Sequence, residues 1–177
     1  RSVLVYNNRI IGEGYHRIYG KAHAETVAID AVKDKSLLKH ATLYVNLEPC
    51  AHHGNTPPCA QRIVQENIPE VVIGMRDPSA KVSGKGINIL LEGGCSIREN
   101  VLEPQCKEIN RRFIAFHEQK RPYVILKWAR TLDGFIDKKR GKDAPIQPNW
   151  ISNELAKRLV HRWRSQEQSI LVGINTV

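Results

Sequence analysis

Seventeen residues, Leu43 to Cys59, constrain this chain more than any others. They read Leu-Tyr-Val-Asn-Leu-Glu-Pro-Cys-Ala-His-His-Gly-Asn-Thr-Pro-Pro-Cys. An apolar strand ends in Glu48, Pro49 and Cys50, a polar loop follows, and Pro57, Pro58 and Cys59 close it. About one helix upstream stand His23, Ala24 and Glu25. Two short segments thus concentrate three borderline or soft metal ligands (His23, Cys50, Cys59) and one carboxylate (Glu25).

Zinc favours Cys sulfur and His nitrogen in a tetrahedral arrangement, and a catalytic site leaves one position for water. His23, Cys50 and Cys59 would fill three positions. Glu25, two residues beyond His23 at a helix start, can reach such a water without ligating the metal and shuttle its proton. His-x-Glu followed by Pro-Cys and a second Cys is the pattern of zinc nucleobase deaminases. Here eight residues separate the two cysteines rather than two. A structural knuckle built on Cys50 and Cys59, with His52 or His53 in place of His23, is the alternative at this level.

The remaining composition narrows the class. With 177 residues, 41% apolar and 25% charged, the chain suits a globular protein of one domain or one domain and part of another. No apolar run approaches the ~20 residues that span a bilayer, so no membrane partner is expected. Four cysteines are too few for a secreted disulfide scaffold. A cytoplasmic location follows as an expectation. The net charge of +9 suits a phosphorylated small molecule or a polyanion.

Asn7 and Asn8 between the apolar runs Val3–Tyr6 and Arg9–Gly12 predict a tight hairpin. Gly12, Gly14 and Gly20 are read as irregular backbone. Apolar spacing predicts a helix over 23–35, a strand over 42–47, a short helix over 58–66, a strand over 71–74, a helix over 87–91 stopped by Gly93 and Gly94, and a strand over 95–98. A single helix is expected over 104–119. Strand and helix alternate between residues 40 and 98, which argues for an α/β sheet with parallel strands. Beyond a break at Lys120–Pro122, strands are expected over 123–128 and 170–173, with a turn and return strand over 131–137. A helix capped by Ser152 is expected to reach Arg164, and Trp128 is read as a core aromatic. Arg1 leads straight into a strand, and the last strand ends four residues before Val177, so the chain reads as a fragment at both ends.

With these residues in hand, the chain resembles the bifunctional riboflavin-biosynthesis deaminase/reductase (RibD) family. The family's deaminase loop runs close to Leu-Glu-Pro-Cys-x-His-x-Gly-x-Thr-Pro-Pro-Cys, and Leu47 to Cys59 follow it, long cysteine spacing included. Gly12 to His16, His23 to Glu25, Met75 to Pro78 and Gly84 to Gly86 also match. In the second half Leu126-Lys127, Leu132 to Gly134, Trp150 to Ser152, Arg164, Ile170 to Gly173 and Thr176 match.

The resemblance implies a cytidine-deaminase-like three-layer α/β/α domain with a mixed sheet over 1–119, its N-terminal helix missing. It implies the start of a dihydrofolate-reductase-like α/β domain over 120–177, truncated. The first would hydrolytically deaminate 2,5-diamino-6-(5-phosphoribosylamino)pyrimidin-4(3H)-one. The second belongs to a reductase that converts the ribosyl group to ribityl with NADPH. Carried over, His23, Cys50 and Cys59 hold zinc, and Glu25 is the proton donor. His52, Asn55, Asp77 and Lys81 line the mouth where the ribose phosphate sits. Ala129, Trp150 and Thr176 touch NADP, and Arg164 binds the substrate's phosphoribosyl end. Asn55, Ser79 and Pro148 depart from the residues common in the family at those positions. Folds of this kind often form homo-oligomers, but no interface is legible.

Two other readings remain at this point. A deaminase of tRNA or another polynucleotide needs stacking aromatics and cations near the pocket. The loop from His52 to Pro58 has neither, which argues against nucleic acid. A structural zinc module needs a closed four-ligand site and gives Glu25 no role.

Overall fold

The computed structural model describes residues 1–54, 56–79, 83–145 and 147–174. The chain divides into two units, Arg1–Tyr123 and Val124–Val177. The first is built outward from the predicted hairpin. Asn7 and Asn8 both take positive φ, 48° and 57°. Two consecutive left-handed residues are what a two-residue type I′ turn demands, and Asn tolerates them. They join β1 (Ser2–Tyr6) to β2 (Arg9–Gly14) in antiparallel register. Leu4 faces Gly12 while Val5 faces Ile10, so Ile11 is an extra residue that forms a β-bulge.

Gly12 and Gly14 are not the irregular backbone that the sequence suggested, since both lie in β2. Of the three glycines read in that way, only Gly20 has positive φ, at 77°. Close packing explains the other two. A Cβ on Gly12 would lie 2.4 Å from the Ala28 carbonyl oxygen, and one on Gly14 would lie 2.3 Å from that of Ala24. Both carbonyls belong to helix α1 (Ala24–Ala31), which rests directly on the strand.

The sheet has the order β2-β1-β3-β4-β5. β1 runs antiparallel to β3 (Thr42–Val45), while β3, β4 (Glu70–Ile73) and β5 (Ser96–Arg98) are mutually parallel. Parallel neighbours need crossover connections. Those connections carry α2 (Cys59–Gln65) and α3 (Lys85–Glu92). Leu4, Leu43, Val45, Val71 and Ile73 form one buried cluster with Ala28 and Ile29 of α1, Ala60 and Ile63 of α2, and Ile87 and Leu90 of α3. The mixed α/β sheet expected from residues 40 to 98 is thus present.

The helix expected over 104–119 is two helices, α4 (Glu103–Ile109) and α5 (Arg111–Gln119). Asn110 interrupts it. Its Nδ2 donates to the Cys106 carbonyl (2.9 Å), and its Oδ1 accepts from Asn46 Nδ2 (3.3 Å). A short amide side chain that bonds the backbone competes with helix propagation.

In the second unit, the described residues form one α-helix, α6 (Glu154–Arg164). Its cap is Asn153, one residue later than expected, whose Oδ1 accepts from Ala156 N (2.9 Å). The turn at 131–135 is present. Thr131 N donates to the Phe135 carbonyl (2.8 Å), and Gly134 takes φ 93°. The strands expected over 123–128, 135–137 and 170–173 are absent among the described residues. A strand's hydrogen bonds are all made to a neighbour, so apolar pattern without a ladder partner leaves extended chain. Trp128, expected in a core, is 63% exposed.

Substituting Gly14 by Ala gains about 0.4–1 kcal/mol at most from a stiffer unfolded chain. Overpacking against α1 costs about 1–3 kcal/mol or more. Gly14→Ala should therefore lower the denaturant midpoint of the first unit. The same substitution at Gly141, where a Cβ meets nothing within 4 Å, should be nearly silent.

Candidate active site

Three segments converge beyond the end of β3. His23 is the residue immediately before α1, in extended conformation (φ −72°, ψ 167°). Cys59 is the first residue of α2, and Pro58 precedes it as the cap. Cys50 lies in the loop between β3 and α2. Pro49 and Pro58 are fully buried and hold both cysteines against the core.

The donor atoms of His23, Cys50 and Cys59 all lie within 4.8 Å of one another. His23 Nδ1 is 3.4 Å from the Cys50 sulfur and 3.4 Å from the Cys59 sulfur. Tetrahedral zinc, with bonds of about 2.3 Å to sulfur and about 2.0 Å to nitrogen, needs a nitrogen–sulfur separation of about 3.6 Å. The donor set and its spacing therefore fit zinc. Among the described residues this is the one group of three or more such ligands that could hold a metal. His52 and His53 are exposed and outside it, so the knuckle alternative does not form.

The local electrostatics suit a cation. The Cys59 thiol hydrogen-bonds the Cys50 sulfur, and with the contact to His23 this brings Cys50 down to about 4 despite burial. The Cys59 backbone N–H adds a further bond to the Cys50 sulfur (3.3 Å). Cys59 itself is pushed up, first by that thiol bond and then by burial. His23 is raised by its bond to Cys50, against the opposing effect of burial. A thiolate, an imidazole and a second thiol are thus packed where a divalent ion can replace their protons.

Glu25 is buried in the first turn of α1 and lies outside the ligand group. Burial raises its pKa, and the Cys50 charge adds to the rise, whereas His23 opposes it. A carboxyl so placed gains and loses a proton closer to neutrality than an exposed one. The ring of His16 stands edge-on to that of His23, with centroids 5.4 Å apart.

Asp77 follows β4 and is buried, its Oδ1 accepting from Ser79 N (2.7 Å). Burial raises its pKa, while His117 and His52 act in the opposite sense. The electrostatic influence of His52 brings these two candidate residues to the same region. Arg76, next to Asp77, is held by Glu99 through Nε (2.6 Å) and Nη2 (3.1 Å). Asn55, Lys81 and Thr176 lie outside the described residues.

In the second unit, Ala129 is half-buried, whereas Trp150 and Arg164 are exposed. Lys157 Nζ sits 4.0 Å from the Trp150 ring centroid, near the start of α6. Arg164 ends that helix, about 10 Å further along at 1.5 Å per residue. In the sequence Glu48 stands out only as part of the loop motif. The structure buries it at 3% exposure with three backbone N–H groups on its carboxylate. The one sequence signal for that role was an acidic residue closing an otherwise apolar strand.

Residues 2–75 match the family described as the cytidine and deoxycytidylate deaminase zinc-binding region. Residues 122–177 match the RibD C-terminal domain. Over 176 residues the chain is 40% identical to the riboflavin biosynthesis protein RibD of Aquifex aeolicus (strain VF5), covering 99% of this chain and 48% of that protein. The RibD protein of Synechocystis sp. is 42% identical over 99% of this chain and 46% of its own length. Among solved structures, a Thermotoga maritima diaminohydroxyphosphoribosylaminopyrimidine deaminase/5-amino-6-(5-phosphoribosylamino)uracil reductase is similar, with a TM-score of 0.81 and 43% identity. The match covers 92% of this chain and 45% of that one. The chain spans about half the length of the curated relatives it matches.

The raised pKa of Asp77 has a consequence for stability. A carboxyl with a higher pKa folded than unfolded contributes stability that is complete below its unfolded value, about 3.9, and lost as pH rises through its folded value. Asp77→Asn removes that loss. The variant should unfold at a higher temperature than wild type at pH 7 and at the same temperature near pH 3, as read by calorimetry at both pH values.

Proposed function

Since the chain belongs to the RibD family of riboflavin biosynthesis proteins, we propose that its first unit is a zinc-dependent hydrolytic deaminase. Its substrate in this reading is 2,5-diamino-6-(5-phosphoribosylamino)pyrimidin-4(3H)-one. Residues 120–177 contribute the first part of an NADPH-dependent reductase for the deaminated product. The observation that carries the reading is a three-donor group with a buried carboxyl beside it and not in it.

His23, Cys50 and Cys59 would hold the zinc, which supplies the Lewis acidity that brings a water's pKa toward ~7. Glu25 takes the proton that the attacking water gives up and returns it to the departing amino group. Water adds to the ring carbon, the carbon–nitrogen bond breaks, and ammonia leaves with the carbonyl in its place. The raised pKa of Glu25 suits a group that must both accept and release a proton in one turnover. Its burial keeps bulk water from short-circuiting the transfer.

Asp77 and His52, with Asn55 and Lys81, serve the ribose phosphate end of the substrate. The +9 net charge favours such an anionic ligand. In the reductase part, Ala129, Trp150 and Thr176 take NADP and Arg164 takes the phosphoribosyl end. Two thiols that must stay reduced to bind metal suit the cytoplasm.

The test is ammonia release from the diaminopyrimidine ribotide by the full-length protein, wild type against Glu25→Gln. The variant should keep its zinc and lose activity by about 10²-fold or more, the usual worth of a general acid–base group. Undiminished turnover in Glu25→Gln would sink the reading.

A further inference from the structure

The carboxylate of Glu48 joins the metal loop to the segment after β4. It is 3% exposed, and ionised carboxylates are rarely buried without specific compensation. Here the compensation is three backbone donors. Oε2 accepts from Asp77 N (3.2 Å) and Gly84 N (3.0 Å), and Oε1 accepts from Gly86 N (3.1 Å). Gly84 is the N-cap position of α3 and Gly86 lies in its first turn, and Gly84 has no side chain with which to cap the helix. Glu48 supplies that cap from a loop 36 residues earlier in the chain, and its charge also suits the helix N-terminus.

The fit is close. Gly84 takes φ 78°, and a Cβ on Gly86 would lie 1.9 Å from the Pro49 carbonyl oxygen. The start of α3 therefore rests on the Pro49–Cys50 peptide, at the metal-ligand candidate itself. Glu48 N donates to the Met75 carbonyl (2.9 Å), and Ser83 N donates to the Ser79 carbonyl (2.9 Å). Both described ends of the loop, Asp77–Ser79 and Ser83–Gly86, are thereby referred to one side chain two residues from a metal-ligand candidate.

We propose that Glu48 is a positioning residue for substrate. It holds Asp77 and the α3 N-terminus at a fixed distance from Cys50, so that the ribose phosphate end of the substrate meets Asp77 while the pyrimidine lies over the metal centre. This rests on the deaminase reading above. A specificity consequence follows. Helix N-termini attract phosphate, but the amides of Gly84 and Gly86 are already taken by a carboxylate. The carboxylate leaves those two amides no vacancy for the substrate's phosphate.

Glu48→Gln in the full-length protein tests this. Glutamine has the same shape but one acceptor oxygen, and its NH2 opposes an N–H group. For the ribotide, KM should rise about 10-fold or more, the factor that one hydrogen bond to a charged group carries. Zinc content should be unchanged and kcat should stay within about threefold. Amide exchange at Asp77, Gly84 and Gly86 should accelerate by about the same 10-fold factor, while that at Leu43 and Val71 stays slow. If Glu48→Gln does not fold, Glu48→Asp, which keeps the charge but withdraws it by one methylene, should give the same pattern. A lower melting temperature with KM unchanged overturns the proposal and leaves only a helix cap. Loss of zinc, or of kcat with KM kept, also overturns it and assigns Glu48 to the metal loop. Wild-type protein that releases no ammonia from the ribotide defeats the functional reading instead. Amide exchange then decides alone whether Glu48 holds the loop, with acceleration supporting it and unchanged protection overturning it.

Discussion

The structure depends on two cysteine sulfurs and an imidazole nitrogen held within 4.8 Å of one another, Cys59 buried and His23 and Cys50 half-buried. The Cys59 thiol donates to the Cys50 sulfur, which favours the Cys50 thiolate and, together with burial, holds the proton on Cys59, so one is driven down while its neighbour is driven up. A divalent ion removes that conflict by displacing the protons, so metal affinity and the stability of this corner are linked. The site draws on the start of α1, the loop after β3 and the start of α2, and loss of any one opens it. The same corner places Glu25 where burial keeps its pKa high.

The sheet explains why two loops meet there. β3 and β4 are parallel neighbours, with Leu43 opposite Val71 and Val45 opposite Ile73. Parallel pairing sends the loops after both strands out of the same edge, the usual place for ligands in open α/β sheets. One loop carries Glu48 and Cys50, the other Asp77. An antiparallel pair would have put them at opposite edges. Glu48 then fixes their separation with hydrogen bonds that no neighbouring side chain of α3 supplies.

Much of this was legible in residues. Asn7-Asn8 gave the hairpin because few side chains accept two positive φ values in succession. The ligand group was legible because His-x-Glu and the second Pro-Cys stand at helix starts and the first Pro-Cys follows shortly after an apolar strand. Other features depend on tertiary neighbours that no local window contains. Gly12 and Gly14 are small because α1 lies on them, not because the backbone turns there. Asn110 breaks a helix through bonds to Asn46 and Cys106. Glu48 has no local partner, and its role appears only when residues 77, 84 and 86 come to it. In residues 124–177, apolar runs predicted strands, but a run specifies only what a strand needs and not that a partner is present. Leu126, Trp128 and Leu171 remain exposed there.

The central claim is a three-ligand zinc site with one position left for chemistry. X-ray absorption at the zinc edge of the metal-loaded full-length protein reads it directly. The account predicts one zinc per chain with two sulfur neighbours at about 2.3 Å and two lighter neighbours at about 2.0 Å. His23→Ala should remove one of the lighter neighbours or the metal itself. Three or four sulfur neighbours, or zinc well below one per folded chain, would contradict it.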